Sequence, residues 1–256
     1  MKLAGQVALI TGASGGIGSA ICRALAREGA SLALHYCSRE ANAVKLAEQL
    51  QSSKRLASQQ FVPIAADLLD NAAACDLVAR SVEAFGRLDI IVNNAGWTRV
   101  VQADDIEGLD NEMISKTVRM KIDVPLCLLR AARPHLEQSG AGQLINITSV
   151  AGIAAKGSSI VYAAANAALS NLTRSLARAL APKIRVNAVA PGFVETGFAW
   201  PKDGKVKAHV AQRNHIARTV EADEVAEVVR FLVCDAPAIT GEEIAIDGGI
   251  GRLGVR

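Results

Sequence analysis

Apolar residues fall along this chain in short dense runs, separated by longer stretches in which they recur every three or four positions. The runs QVALIT, SLALHY, FVPIAA, LDIIVN, QLINIT, IRVNAVA and EEIAID are rich in Val, Ile and Leu and too short for helices, which predicts strands. Between them, GIGSAICRALAREG, EANAVKLAEQLQ, NAAACDLVARSVEAFG, a stretch over 110–138, one beginning near Tyr162 and one over 221–234 carry helical spacing. Strands that are apolar throughout and alternate with helices predict a doubly wound α/β architecture, a parallel sheet with helices on both faces. No linker, repeat or low-complexity tract interrupts the rhythm, so residues 1–256 read as a single domain. Only 195–214, ETGFAWPKDGKVKAHVAQRN, departs from it, with Pro201, Gly204, large aromatics and several lysines. That segment follows a strand at the sheet edge where ligands bind, and it reads either as a substrate lid or as a long surface connection.

Half of the residues are apolar and only 4% aromatic, so the core is built from small aliphatic side chains. A net charge of +3 without a dense Lys/Arg stripe gives no reason to expect nucleic-acid or membrane partners. The five cysteines, at 22, 37, 75, 127 and 234, form no ligand-spaced cluster and read as reduced, buried thiols; His135, His209 and His215 show no metal spacing either, so no metal site is expected. The start MKLAGQVALITG lacks the apolar core of a signal peptide, and no stretch approaches the roughly 18 apolar residues of a membrane span, which predicts a cytoplasmic protein.

The chemistry begins where the first strand runs into Thr11-Gly12-Ala13-Ser14-Gly15-Gly16-Ile17-Gly18 and then into a helix. Glycines there let backbone N–H groups approach a pyrophosphate at the positive end of the helix, so Gly12, Ser14, Gly16, Ile17 and Gly18 are candidate dinucleotide contacts; a tight turn with no ligand is the bland alternative. At the end of the second strand, His35-Tyr36-Cys37-Ser38-Arg39 offers no carboxylate to repel a 2′-phosphate. Ser38 and Arg39 supply a hydroxyl and a guanidinium to hold one, which favours NADP over NAD. Arg39 pairing with Glu40 is the competing reading.

Taken together, TGASGGIG at the glycine loop, NNAG at 93–96, Ser149 thirteen residues before Tyr162, IRVNAVAPGFVET at 184–196 and GEEIAIDGG at 241–249 resemble the short-chain dehydrogenase/reductase family, most closely its ketoacyl-reductase-like branch. The resemblance spans essentially the whole chain and implies a Rossmann fold and an NAD(P)-dependent oxidoreductase that interconverts a carbonyl and an alcohol. It implies that Asp67, with Leu68 beside it, meets the adenine; that Asn93, Asn94, Ala95 and Gly96 form a turn along the cofactor; and that Pro191, Gly192, Val194 and Thr196 contact the nicotinamide end. A helix-capping role for Asp67 stays open. By the same resemblance Ser149 holds the substrate carbonyl, Tyr162 is the general acid/base, and relatives pair through the helices at 110–138 and 159–181, so a homotetramer or dimer is expected.

Two positions depart from the family pattern. Four residues after its tyrosine the family has a lysine, which holds the ribose and lowers the phenol pKa; here Asn166 stands there. A unit charge about 5 Å from a phenolate contributes about 3 kcal/mol at an effective dielectric of about 20. On the preceding helix, the position of the family's catalytic asparagine falls at Lys121 in VRMKIDVPL, with Asp123 as the rival register. Two accounts follow. Either Lys121 and Asn166 form a swapped catalytic pair, or Lys121 is a solvated helix lysine and Asn166 marks a weakened site. The corresponding functions are a reductase with an atypical centre, a cofactor-binding protein without redox turnover, or non-redox acid/base chemistry such as dehydration or isomerisation. Trp97, Phe193, Phe198 and Trp200 either line an apolar substrate pocket or are plain core, and Lys202, Lys205, Lys207 and Arg213 either attract an anionic substrate or carrier or form a solvated face.

Overall fold

The computed structural model describes residues 1–199 and 204–256. The apolar runs form seven strands: β1 (Val7–Ile10), β2 (Ser31–Tyr36), β3 (Phe61–Ala65), β4 (Ile90–Asn93), β5 (Gly142–Ile147), β6 (Ile184–Pro191) and β7 (Glu243–Ile246). All pair in parallel, in the order β3-β2-β1-β4-β5-β6-β7. The helices are α1 (Gly16–Arg27), α2 (Glu40–Ser52), α3 (Asn71–Phe85), α4 (Asn111–Val118), α5 (Val124–Gln138), α6 (Ala151–Ala154), α7 (Ile160–Leu180), α8 (Lys205–Arg213), α9 (Ala222–Cys234) and α10 (Ile250–Leu253).

The period of two in a strand divides the core in two. Ala8, Ile10, Leu32 and Leu34 pack with Ile21 and Leu25 of α1 and Val225 and Val229 of α9. Val7, Leu9, Ala33 and Ile91 face the other way, onto Leu77 and Val78 of α3, Leu128 and Leu136 of α5 and Ala177 of α7. Because β1 lies between β2 and β4, the chain leaves the sheet in opposite directions on either side of it, which opens a crevice beyond the carboxyl ends of β1 and β4.

The expected helix over 110–138 is broken. Between α4 and α5, Arg119–Asp123 forms a π-helical turn, with the Val124 N–H reaching back to the Arg119 carbonyl. Pro125 follows directly; it has no N–H to give the carbonyl four residues earlier, that of Lys121, and its ring would crowd that carbonyl in a regular helix. The expectation of buried thiols holds for Cys22 and Cys127, but Cys37 and Cys75 are exposed and Cys234 is half-buried. Cys37 lies just past the end of β2, and Cys75 of α3 has its Sγ 3.2 Å from that of Cys127 on α5. No helix among the described residues is long and apolar enough to cross a membrane.

Candidate active site

Beyond β1 the glycine loop is held from three sides. Gly12 takes φ +66°, a left-handed conformation natural to glycine. Thr11 Oγ1 accepts from the backbone N–H groups of Asn94 and Ala95, both at 2.9 Å, and Asn94 Nδ2 donates to the Thr11 carbonyl at 2.8 Å. From β2, His35 Nδ1 accepts from the Gly12 N–H at 2.9 Å. A Cβ on Gly18 would stand 2.2 Å from the Gly12 carbonyl oxygen, and one on Gly16 would stand 2.5 Å from Thr196 Cγ2, so only glycines let the loop close on α1 and the 191–196 stretch close on the loop. The N-cap residue of α1, Gly15, has no side chain to cap it and no acidic residue lies in its first turn, which suits its leading amides, those of Gly16, Ile17 and Gly18, to an anion. This cradle fits a dinucleotide pyrophosphate.

Along the crevice, Ser38 and Arg39 are exposed beyond the end of β2. Glu40 accepts from the Tyr36 hydroxyl at 3.1 Å, and among the described residues no ion pair holds Arg39. Asp67 does not cap α3, a role taken by Asp70, whose carboxylate accepts from Ala72 and Ala73; it ties the short turn past Leu68 by accepting from the Leu69 N–H at 3.0 Å. Asn93 is buried in a polar chain, donating to Asn146 Oδ1 at 2.9 Å, while Asn146 donates to Thr173 of α7 at 2.9 Å, which pins α7 to the sheet.

The candidate catalytic residues gather where β5, the π turn and α7 meet. Ser159 caps α7 by accepting from the Tyr162 N–H at 3.1 Å, which sets Tyr162 in the first turn of that helix. Burial pushes the Tyr162 phenol above its ordinary value of 10; hydrogen bonding from Ser149, and then from Asn166, opposes the rise. Asn166 is fully buried, and its Nδ2 donates to the Tyr162 carbonyl at 2.8 Å. Among the described residues its Oδ1 has no hydrogen-bond partner, a cost of about 1–3 kcal/mol unless a ligand donor meets it.

Lys121 is not a solvated helix lysine. It is 4% exposed, and its Nζ donates to the Ile147 carbonyl at 3.0 Å and lies 5.8 Å from the centre of the Tyr162 ring. Desolvation brings the ammonium down from 10.5 to about 8. Asp123, the rival in sequence, is exposed. Phe198 completes the cluster, its ring 6.3 Å from that of Tyr162 and 3.3 Å from where a Cβ of Gly96 would be; Lys121 Nζ lies 3.9 Å from the same point. Trp97 is half-buried with Lys116 over its ring at 4.5 Å, and Lys207 is engaged by Glu195 at 3.5 Å and Glu221 at 3.6 Å. Trp200, Pro201 and Lys202 lie outside the described residues.

A family profile described as enoyl-(acyl carrier protein) reductase matches residues 12–251. The chain is 33% identical over 254 residues to the 3-oxoacyl-(acyl-carrier-protein) reductase of Thermotoga maritima, covering 98% of this chain and 99% of that protein. It belongs to the short-chain dehydrogenase/reductase family. As a member it is an NAD(P)-dependent oxidoreductase of carbonyl and alcohol groups. Similar proteins include the cis-4-hydroxycyclohexanecarboxylate dehydrogenase of Sinomonas cyclohexanicum, 34% identical over 95% of this chain and 96% of that protein. Among solved structures, a short-chain dehydrogenase from Burkholderia cenocepacia J2315 in complex with NADP superposes with a TM-score of 0.86 at 33% identity, covering 97% of this chain and 98% of that one.

Sequence reasoning missed His35, which sits in an apolar strand and gives no sign there of facing the glycine loop. It named Phe198 as a pocket candidate but not its contact with Tyr162, which is made by a loop that no periodicity describes.

Proposed function

We propose that the chain is an NADP-dependent reductase of a small-molecule ketone, in which Ser149, Tyr162, Lys121 and Asn166 form the catalytic centre with two side-chain types exchanged relative to the family pattern. The observation that carries this reading is the buried Lys121 ammonium beside the Tyr162 ring. A buried charge without a carboxylate partner is costly, and such groups concentrate where chemistry uses them. Asn166 stands where the family has its lysine, and the cation approaches Tyr162 from the π turn instead.

The nicotinamide, when bound, supplies the hydride. Ser149 orients the substrate carbonyl, and Tyr162 delivers a proton to its oxygen. As proton transfer proceeds the phenol gains negative charge, and Lys121 stabilises that charge through space. Asn166 Oδ1, which lacks a partner among the described residues, would accept from a ribose hydroxyl of the bound cofactor. Ser38 and Arg39 hold the 2′-phosphate, Asp67 and Leu68 border the adenine, and the glycine loop carries the pyrophosphate. We also propose that 195–214 is a substrate lid on the one domain, that Phe198 and Trp97 give the pocket an apolar wall, and that the chain works in the cytoplasm as a homo-oligomer, a tetramer or dimer.

A second reading, cofactor binding without turnover, draws support from Asn166. Mixing the protein with NADPH and a panel of apolar ketones separates the two. Loss of the reduced-nicotinamide absorbance with matching alcohol formation supports the first, and tight NADPH binding with no oxidation on any ketone overturns it.

A further inference from the structure

His35 is 2% exposed in β2 and bridges two parts of the cofactor site. Its Nδ1 meets the Gly12 N–H at 2.9 Å, and its Nε2 meets the Ala66 carbonyl at 3.0 Å, one residue before Asp67. The two contacts fix the tautomer. An amide N–H can only donate, so Nδ1 must present its lone pair; a carbonyl can only accept, so Nε2 must carry the proton. The backbone adds a third tie, as the Ala13 N–H donates to the His35 carbonyl at 2.9 Å.

We propose that His35 is a positioning residue for the cofactor: its neutral imidazole latches the start of the glycine loop to the turn at Asp67, and protonation of its Nδ1 releases that latch and weakens dinucleotide binding. The inference rests on the reading of this loop as the pyrophosphate site. A second ring proton would set N–H against N–H at Gly12, the residue whose left-handed conformation turns the loop. Gly12 would lose the acceptor that fixes its amide, while its carbonyl, which accepts from the Gly15 N–H at 3.1 Å, would pass the shift toward α1.

The charged groups that act on His35 are Arg80 of α3 and Asp67 after β3, and they act in opposite senses. Arg80 is itself occupied, by the Ala65 carbonyl at 2.6 Å and by Asp76 at 2.7 Å. Burial is the larger influence and holds the imidazole below its ordinary value, in the direction that keeps the latch closed at neutral pH.

Measurements on the full chain test this. The nitrogen chemical shifts of His35 are expected to report an unprotonated Nδ1 and a protonated Nε2 at neutral pH, and the opposite tautomer overturns the proposal. NADPH affinity, read by direct fluorescence titration, is expected to hold at neutral pH and to fall on the acid side of the ordinary imidazole range, approaching tenfold per unit once His35 binds its proton. His35→Gln retains a donor toward Ala66 but offers no acceptor at the Nδ1 position; it is expected to raise both the Kd and the KM for NADPH at least tenfold while kcat at saturating cofactor changes little. His35→Asn returns an oxygen near the Nδ1 position that cannot be protonated, and is expected to recover most of the lost affinity and to flatten the acid dependence. An acid profile shared by wild type and His35→Asn overturns the proposal, as does wild-type affinity in His35→Gln. If the wild type binds neither NADPH nor NADH at any pH, the cofactor reading falls. The latch is then decided by amide exchange at Gly12, which must accelerate as His35 titrates and refutes the latch if it does not.

Discussion

Replacing Lys121 by Met keeps a four-atom stem in the buried slot and removes the charge. Two opposite effects follow from the geometry. Bringing the ammonium from 10.5 to about 8 corresponds to roughly 3 kcal/mol of unfavourable burial at neutral pH, at about 1.4 kcal/mol per unit. Against this gain, the variant leaves the Ile147 carbonyl without its 3.0 Å donor, a loss of about 1–3 kcal/mol. Lys121→Met is therefore expected to unfold at a midpoint higher than, or equal to, the wild type below pH 8, by up to about 2 kcal/mol. The sign with pH is fixed. The folded pKa is depressed, so between about 8 and 10.5 the unfolded chain binds more protons than the native one, wild-type stability rises across that window, and the advantage of the variant shrinks. Catalysis goes the other way. The ammonium lies 5.8 Å from the ring centre, and at a charge separation of about that size and an effective dielectric of about 20 it stabilises a phenolate by about 3 kcal/mol, so reductive kcat is expected to fall by roughly 10- to 100-fold. Wild-type turnover should also decline as pH rises through about 8, and the variant should lack that decline. Calorimetric melts and pH–rate profiles of both proteins measure all of this. A variant that is markedly less stable and fully active would refute the role given to Lys121.

Other outcomes follow from the same site. Tyr162→Phe should abolish turnover while NADPH affinity, by fluorescence titration, stays within a few-fold. Asn166→Lys alone places a second cation in a buried space that already holds one, and should cost about 2 kcal/mol or more in a denaturant titration; combined with Lys121→Asn it should recover stability and activity, a non-additivity that a double-mutant cycle reads directly. Arg39→Ala should raise KM for NADPH by about tenfold or more and leave KM for NADH nearly unchanged, which steady-state kinetics with both cofactors will show. Gly16→Val should displace Thr196 from the loop, given the 2.5 Å approach already met by a Cβ, and weaken NADPH binding more than it lowers the melting temperature.

The sheet was legible in the sequence because its strands are continuous apolar runs, a pattern that burial on both faces imposes. The glycine loop was legible because Gly16 and Gly18 stand where backbone atoms and Thr196 leave no room for a Cβ. What could not be read was anything set by a local departure from regular geometry. The sequence left the register open between Lys121 and Asp123, and the structure buries the first and exposes the second within a π turn that no regular spacing announces. His35 reads as a core residue because its partners, the Gly12 N–H and the Ala66 carbonyl, belong to the backbone just past the ends of neighbouring strands and leave no mark on composition.

The widened turn at Arg119–Asp123 also bears on how this centre could be moved between proteins. In an α-helix each residue advances the side-chain direction by about 100°, so one residue fewer between Asn111 and Pro125 would swing the Lys121 stem well away from Tyr162 without altering a single amino acid in the crevice. A lysine grafted at the equivalent place in a relative with an unbroken helix would aim its nitrogen elsewhere, and a successful transplant has to carry the five-residue turn and its following proline along with it.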